Sequence, residues 1–78
     1  MKLSFGQAVE ITWEDACSSS GWTTPYETGL TVVNVGIFVQ RNKNGICLAK
    51  GVVMDDPEEV LAPMYIPNKM VRKIRRLR

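Results

Sequence analysis

Apolar and polar residues alternate with period two along most of the chain. In QAVEITWED, Val9, Ile11 and Trp13 fall on one face and Glu10, Thr12 and Glu14 on the other. Such alternation, with β-branched and aromatic residues, predicts a half-buried strand. LTVVNVGIFVQRNKNGICLAKGVVM carries the strongest signal. Val33, Val35, Ile37 and Val39 line an apolar face, with Asn34, Gly36, Phe38 and Gln40 opposite. Asn44-Gly45 then supplies residues that tolerate positive φ in a type I′ turn, and ICLAKGVVM returns as the partner strand. Gly36 and Gly51, inside strand-like runs, are expected at bulges or sharp bends.

The remaining segments are connections and a short close. SSSGWTTPYETG, punctuated by Pro25 and Gly29, has little strand or helix signal, so a long loop is expected over 15–30. DDPEEVLAP reads as an acidic connection over 55–63, in which Asp56-Pro57 followed by Glu58 and Glu59 starts a short helical turn. MYIP is a short strand ended by Pro67. In NKMVRKIRRLR, Met70, Val71, Ile74 and Leu77 fit a helical stripe, while Met70 and Ile74 alternating with Arg72 and Arg76 fit a strand. Intrinsic propensity leans toward helix. The fold class is therefore all-β: one domain over 1–78, a small strongly bent antiparallel barrel of four to five strands.

Size and composition narrow the function. A domain of 78 residues buries only about 60% of its unfolded surface, so help from a disulfide, a metal or oligomerisation is expected. The chain has no histidine, and its two cysteines, Cys17 and Cys47, are far apart, which argues against zinc. MKLSFGQAVEITW has no long apolar core and no small-residue cleavage site, so no signal peptide is expected. Free thiols in the cytoplasm (the host's, for a viral protein) follow, and oligomerisation is the remaining source of stability. No apolar run approaches the ~20 residues of a membrane span, so no membrane partner is expected. Net charge is only +2, yet six of the ten basic residues (Lys69, Arg72, Lys73, Arg75, Arg76, Arg78) occupy the last ten positions, and all eight acids lie at or before Glu59.

Three segments resemble, in order, a family of small proteins from bacteriophage and prophage genomes. VEITWEDACSSSGW is similar to their aromatic strand ending in Trp-x-Asp, then a serine, then Gly-Trp. VNVGIFVQRNKNGICLAKG is similar to their Gly-x-x-Val strand and the turn into a Leu-Ala strand. YIPNKMVRKIRRL resembles their Ile-Pro segment closing in Ile-x-x-Ile-Arg-Arg-Leu. The order of bent strand, long hairpin, acidic connection and short basic closing strand also resembles the Sm-like and Src-homology-3-like small β-barrels. In Sm-like proteins the closing segment joins a neighbouring subunit's strand and builds a ring. This chain lacks their N-terminal helix and replaces their short first turn with a long loop. The resemblance shifts the basic tail toward strand, because YIPNKMVRKIRRL occupies the last-strand position, and leaves helix as the alternative.

Catalysis is not expected. There is no histidine to serve as base, and Glu14 and Asp15 are adjacent, so a strand sends them to opposite faces. Cys17 has no evident base, and no phosphate-binding glycine loop is present. DDPEE lacks the alternating spacing of a calcium loop. Neither metal nor cofactor is expected. Trp13 belongs to the core. Trp22 has no apolar periodicity to account for it; with Tyr26 it suits stacking on a base or covering a subunit interface, and burial in its own core is the third assignment. The candidate ligand-binding set is Ser18, Ser19, Ser20, Trp22, Tyr26, Arg72, Arg75 and Arg76: hydroxyls, a stacking platform, and guanidinium forks that match phosphate oxygens. The competing assignment pairs the tail arginines with the acidic connection of the same or a neighbouring subunit.

The expected function is a non-enzymatic phage-type module, homo-oligomeric and ring-like, that binds a phosphate-bearing ligand between subunits. The ligand would be a nucleotide second messenger of host defence, sequestered rather than cleaved in an anti-defence role, or RNA or single-stranded DNA. The alternative is a protein-interaction module, either a structural virion component or an inhibitor of a host protein.

Overall fold

In the computed structural model, which describes residues 2–15 and 30–77, the chain is all-β. The strands are β1 (Ala8–Asp15), β2 (Leu30–Arg41), β3 (Gly45–Ala49), β4 (Gly51–Val53), β5 (Asp56–Leu61), β6 (Met64–Pro67) and β7 (Val71–Arg76). A single 3-10 turn, Asn68–Met70, links β6 to β7. Five strands form one antiparallel sheet in the order β6-β3-β2-β1-β7, and β4 and β5 form a separate hairpin. Among the described residues seven strands thus replace the four or five expected, because the returning strand ICLAKGVVM divides into β3 and β4 and the acidic connection contributes β5.

Chain geometry forces this sheet to curl. The outer strands of a flat five-stranded sheet lie about 19 Å apart, four inter-strand spacings. Yet β6 and β7, its two outer strands, are joined only by Asn68–Met70. The four steps from Pro67 to Val71 reach at most about 14 Å. The sheet therefore wraps its concave face around the core of Val9, Ile11, Phe38, Ile46, Leu48 and Ile66, flanked by Leu3, Trp13, Met64, Met70, Val71 and Ile74. No ladder joins β6 to β7 among the described residues. The expected barrel is curled but not closed.

The register of β1 decides which face of β2 is buried, and it reverses the sequence expectation. Val9, Ile11 and Trp13 do form the inner face of β1, with Val9 and Ile11 fully buried. Their partners are Gly36, Asn34 and Val32, and directly paired residues share a face. Val33 and Val35 consequently point outward, 57% and 64% exposed, while Phe38 is buried. Each inward residue of β2 has a task there. A Cβ on Gly36 would sit 3.1 Å from Leu48 Cβ, so glycine lets β3 fold close. Asn34 Oδ1 accepts a 2.8 Å hydrogen bond from Trp13 Nε1, which satisfies the half-buried indole. The register slips between Phe38 and Gln40 and again between Val52 and Val53, so the bulges follow Gly36 and Gly51 rather than falling on them.

The β2–β3 turn is also built differently from the type I′ expectation. Only Gly6 and Ala62 have positive φ among the described residues. Instead Asn42 Oδ1 accepts the N–H groups of Asn44 (2.8 Å) and Gly45 (3.0 Å), a side-chain-closed turn of the Asx kind. Gly45 is needed for space: a Cβ there would run into the Tyr65 ring and lie 2.7 Å from Ile66 O. Asn68 then ties this turn to the β6–β7 link. Its N–H donates to Asn44 O (2.9 Å), its Nδ2 to Asn42 O (2.8 Å), and its Oδ1 accepts from Arg41 Nε (3.0 Å).

Three further segments are resolved by pairing. The acidic connection expected over 55–63, with its helical turn, is largely strand β5, whose Leu61 and Val60 pair with Gly51 and Val52. Acids around a proline signal a helix start or an exposed strand equally well, and the β4 partner decides. The basic tail is strand β7, with Ile74 set against Ile11, the strand rather than the helix of the two alternatives its sequence left open. Of the loop expected over 15–30, Asp15 and Leu30 are strand and pair with each other; residues 16–29 lie outside those described.

Gly45→Val should destabilise the protein by about 3 kcal/mol through overpacking against backbone, read as a lower urea midpoint at unchanged slope. Asn68→Ala should cost about 1 kcal/mol for two partly solvated hydrogen bonds. Combined with Arg41→Ala it should cost less than the sum of the single changes, since the two share one contact.

Candidate interaction surface

The outward face of β1 supplies the carboxylates and β7 the cations. Glu10 lies opposite Arg75 and Thr12 opposite Lys73. The pairing shifts between Thr12 and Trp13, so Arg72 is the extra residue of β7. Arg75 Nη2 reaches Glu10 Oε2 at 3.1 Å, and Arg72 Nε lies 3.4 Å from Glu14 Oε2. Arg72 Nη1 also donates to Lys69 O at 2.7 Å. Among the described residues, Arg72 and Arg75 thus pair with β1 rather than with the acidic segment at 55–59 of their own chain. Lys73 and Arg76 are exposed and make no ion pair among the described residues.

Of the sequence-derived ligand set, Arg72, Arg75 and Arg76 share this one strand, with Arg76 opposite Val9 at its far end. Ser18, Ser19, Ser20, Trp22 and Tyr26 lie outside the described residues. So does Cys17, while Cys47 is a free, half-buried thiol paired in register with Tyr65. Sequence reasoning missed Glu10 and Glu14 as partners of the arginines. Their outward positions on β1 were legible, but the pairing spans more than fifty residues and requires the β1–β7 register.

Beside the charged rows the same face is apolar. Val35 continues the Arg75–Glu10 row, and Val33 continues Lys73–Thr12. A second apolar surface lies on the β4–β5 hairpin, where Gly51, Val52, Val53, Val60 and Leu61 line an open groove of about 340 Å³ with Glu59 at its rim. Met54 at the hairpin tip folds toward Gly6, whose φ of 88° and lack of a Cβ admit the thioether. The hairpin also carries Asp55, Asp56, Glu58 and Glu59, all exposed. No set of three or more metal-ligating side chains occurs among the described residues. No helix there is long and apolar enough to cross a membrane.

In comparisons with known proteins, no family model matches the chain, and neither a curated protein nor a solved structure matches it.

The two ion pairs are solvent-exposed on at least one side, so each is worth less than about 1 kcal/mol. Arg72→Ala and Arg75→Ala should therefore shift the urea midpoint only slightly. That shift should shrink further at high salt, where screening acts over a few ångströms.

Proposed function

We propose that this protein is a non-enzymatic, homo-oligomeric interaction module of the Sm-like or Src-homology-3-like small-barrel type, working by self-assembly and capture of a protein partner. The observation that carries this reading is the free edge of β7, a fully formed strand whose outer backbone groups have no ladder partner among the described residues. Such an edge is a template for strand addition. The curl of the five-stranded sheet and its short closing strand support the small-barrel assignment. Exposed Val33 and Val35 and the apolar groove of the hairpin add surface that a partner would cover. A phage origin, with a role as virion component or inhibitor of a host protein, rests on the resemblance of the three sequence segments.

A phosphate-bearing ligand is the second reading, favoured by the exposure of Lys73 on the face of the paired arginines and of Arg76 at the end of the same strand, on its other face. A nucleotide messenger or a single-stranded nucleic acid would meet them at the β7 edge. Glu14 and Glu10 already offset the charge of Arg72 and Arg75, which weakens the pull on an anion and is why this reading stands second.

Light scattering coupled to size separation, over a range of protein concentrations, tests the first reading. An assembly is expected, and a monomer at every concentration overturns it. A thermal-shift series with nucleotides and short oligonucleotides tests the second. A ligand-dependent rise in Tm by mass action, lost in a Lys73→Ala/Arg76→Ala variant, would promote it over the first; no shift would remove it.

A further inference from the structure

Two strands of the molecule are matched in length and opposite in charge, and among the described residues each lies at the edge of its sheet. β5 (Asp56–Leu61) and β7 (Val71–Arg76) both have six residues. β5 carries Asp56, Glu58 and Glu59; β7 carries Arg72, Lys73, Arg75 and Arg76. β5 belongs to a two-stranded hairpin, an arrangement only marginally stable in water without a further strand or a covering surface. Its Leu61 is 64% exposed. Both features are relieved by one more strand on the β5 side.

We propose that β5 of one copy adds to the β7 edge of the next, antiparallel, joining the hairpin of each subunit to the main sheet of its neighbour. This deepens the self-assembly reading and rests on it. Charge selects the pairing. β5 against β5 would bring like carboxylates together, and β7 against β7 would do the same with cations; like charges directly opposite are destabilising. The other free edge of the larger sheet, β6, has four residues, none of them charged, so it gives β7 no electrostatic partner.

Register follows from the sequences alone. Setting Asp56 against Arg75 in antiparallel order places Glu58 against Lys73 and Glu59 against Arg72. Val60 then meets Val71, and Leu61 runs past the start of β7 beside the Asn68–Met70 turn. Every acid of β5 faces a cation, and the apolar ends of the two strands coincide. Pro57 falls opposite Ile74; lacking an N–H, it costs the new ladder at most one hydrogen bond. Arg72 and Arg75 keep their contacts to Glu14 and Glu10 on one side and gain a carboxylate on the other. Because the joined surfaces differ, the interface is heterologous, and repeated addition produces a ring or an open chain.

The experiment exchanges one charge pair. Glu58 and Lys73 are both exposed and form no ion pair among the described residues, so changing them leaves the described intrachain ion pairs intact. Glu58→Lys and Lys73→Glu should each weaken assembly about tenfold by light scattering, and the double variant Glu58→Lys/Lys73→Glu should restore it. Assembly of the parent protein should also weaken as salt rises. If the parent assembles and neither single variant changes it, this interface is overturned while self-assembly stands. A double variant that is folded by circular dichroism yet stays dissociated overturns it as well. A parent protein that is monomeric throughout overturns both readings together.

Discussion

The fold depends on one short connection. Asn68–Met70 must carry the chain from one outer strand of a five-stranded sheet to the other, and its reach is shorter than the width of a flat sheet. Curling is the only solution, and it lets the described residues enclose a core with one sheet face and no α-helix among them. The close approach at Gly36 and the strong local twist at the Phe38–Gln40 bulge allow the tight curvature. Asn68 fixes the connection by bonding to the turn at the end of β2. A core this small still leaves apolar residues outside, among them Val33, Val35, Val53, Met54 and Leu61.

β1 lies next to β7 and organises both sides of the sheet. Its inward Val9 and Ile11 are fully buried, and its outward Glu10 and Glu14 hold the arginines of β7 in place. Those pairs add little stability at the surface. What they do is orient guanidinium groups along a free edge, and a strand edge lined with charge resists indiscriminate pairing while accepting a partner of opposite charge. The acidic β5 hairpin fits that description.

Particular residues show how far the sequence could be read. The inner face of β1 was legible because Val9, Ile11 and Trp13 contrast sharply with Glu10, Thr12 and Glu14. β2 misled for the same reason. Its valines look like a core face, yet the inward set contains an asparagine and a glycine, chosen for the Trp13 N–H and for the nearness of Leu48. A period of two finds the alternation but not which half is inside. Gly45 read as a positive-φ turn residue, which the structure does not bear out; the Tyr65 ring and the Ile66 carbonyl oxygen are what exclude a side chain there.

By itself the sequence determined the all-β class, the β2–β3 hairpin, the end of β6 at Pro67 and the crowding of positive charge at the C-terminal end. These follow from alternation, turn residues and composition, which are local quantities. Tertiary structure alone decided the face of β2, the strand state of Asp56–Leu61 and of the basic tail, and the partners of Arg72 and Arg75. Each of those depends on register between strands distant in the chain. A one-residue slip in register turns every side chain of a strand to the other face, so no local pattern could have specified them.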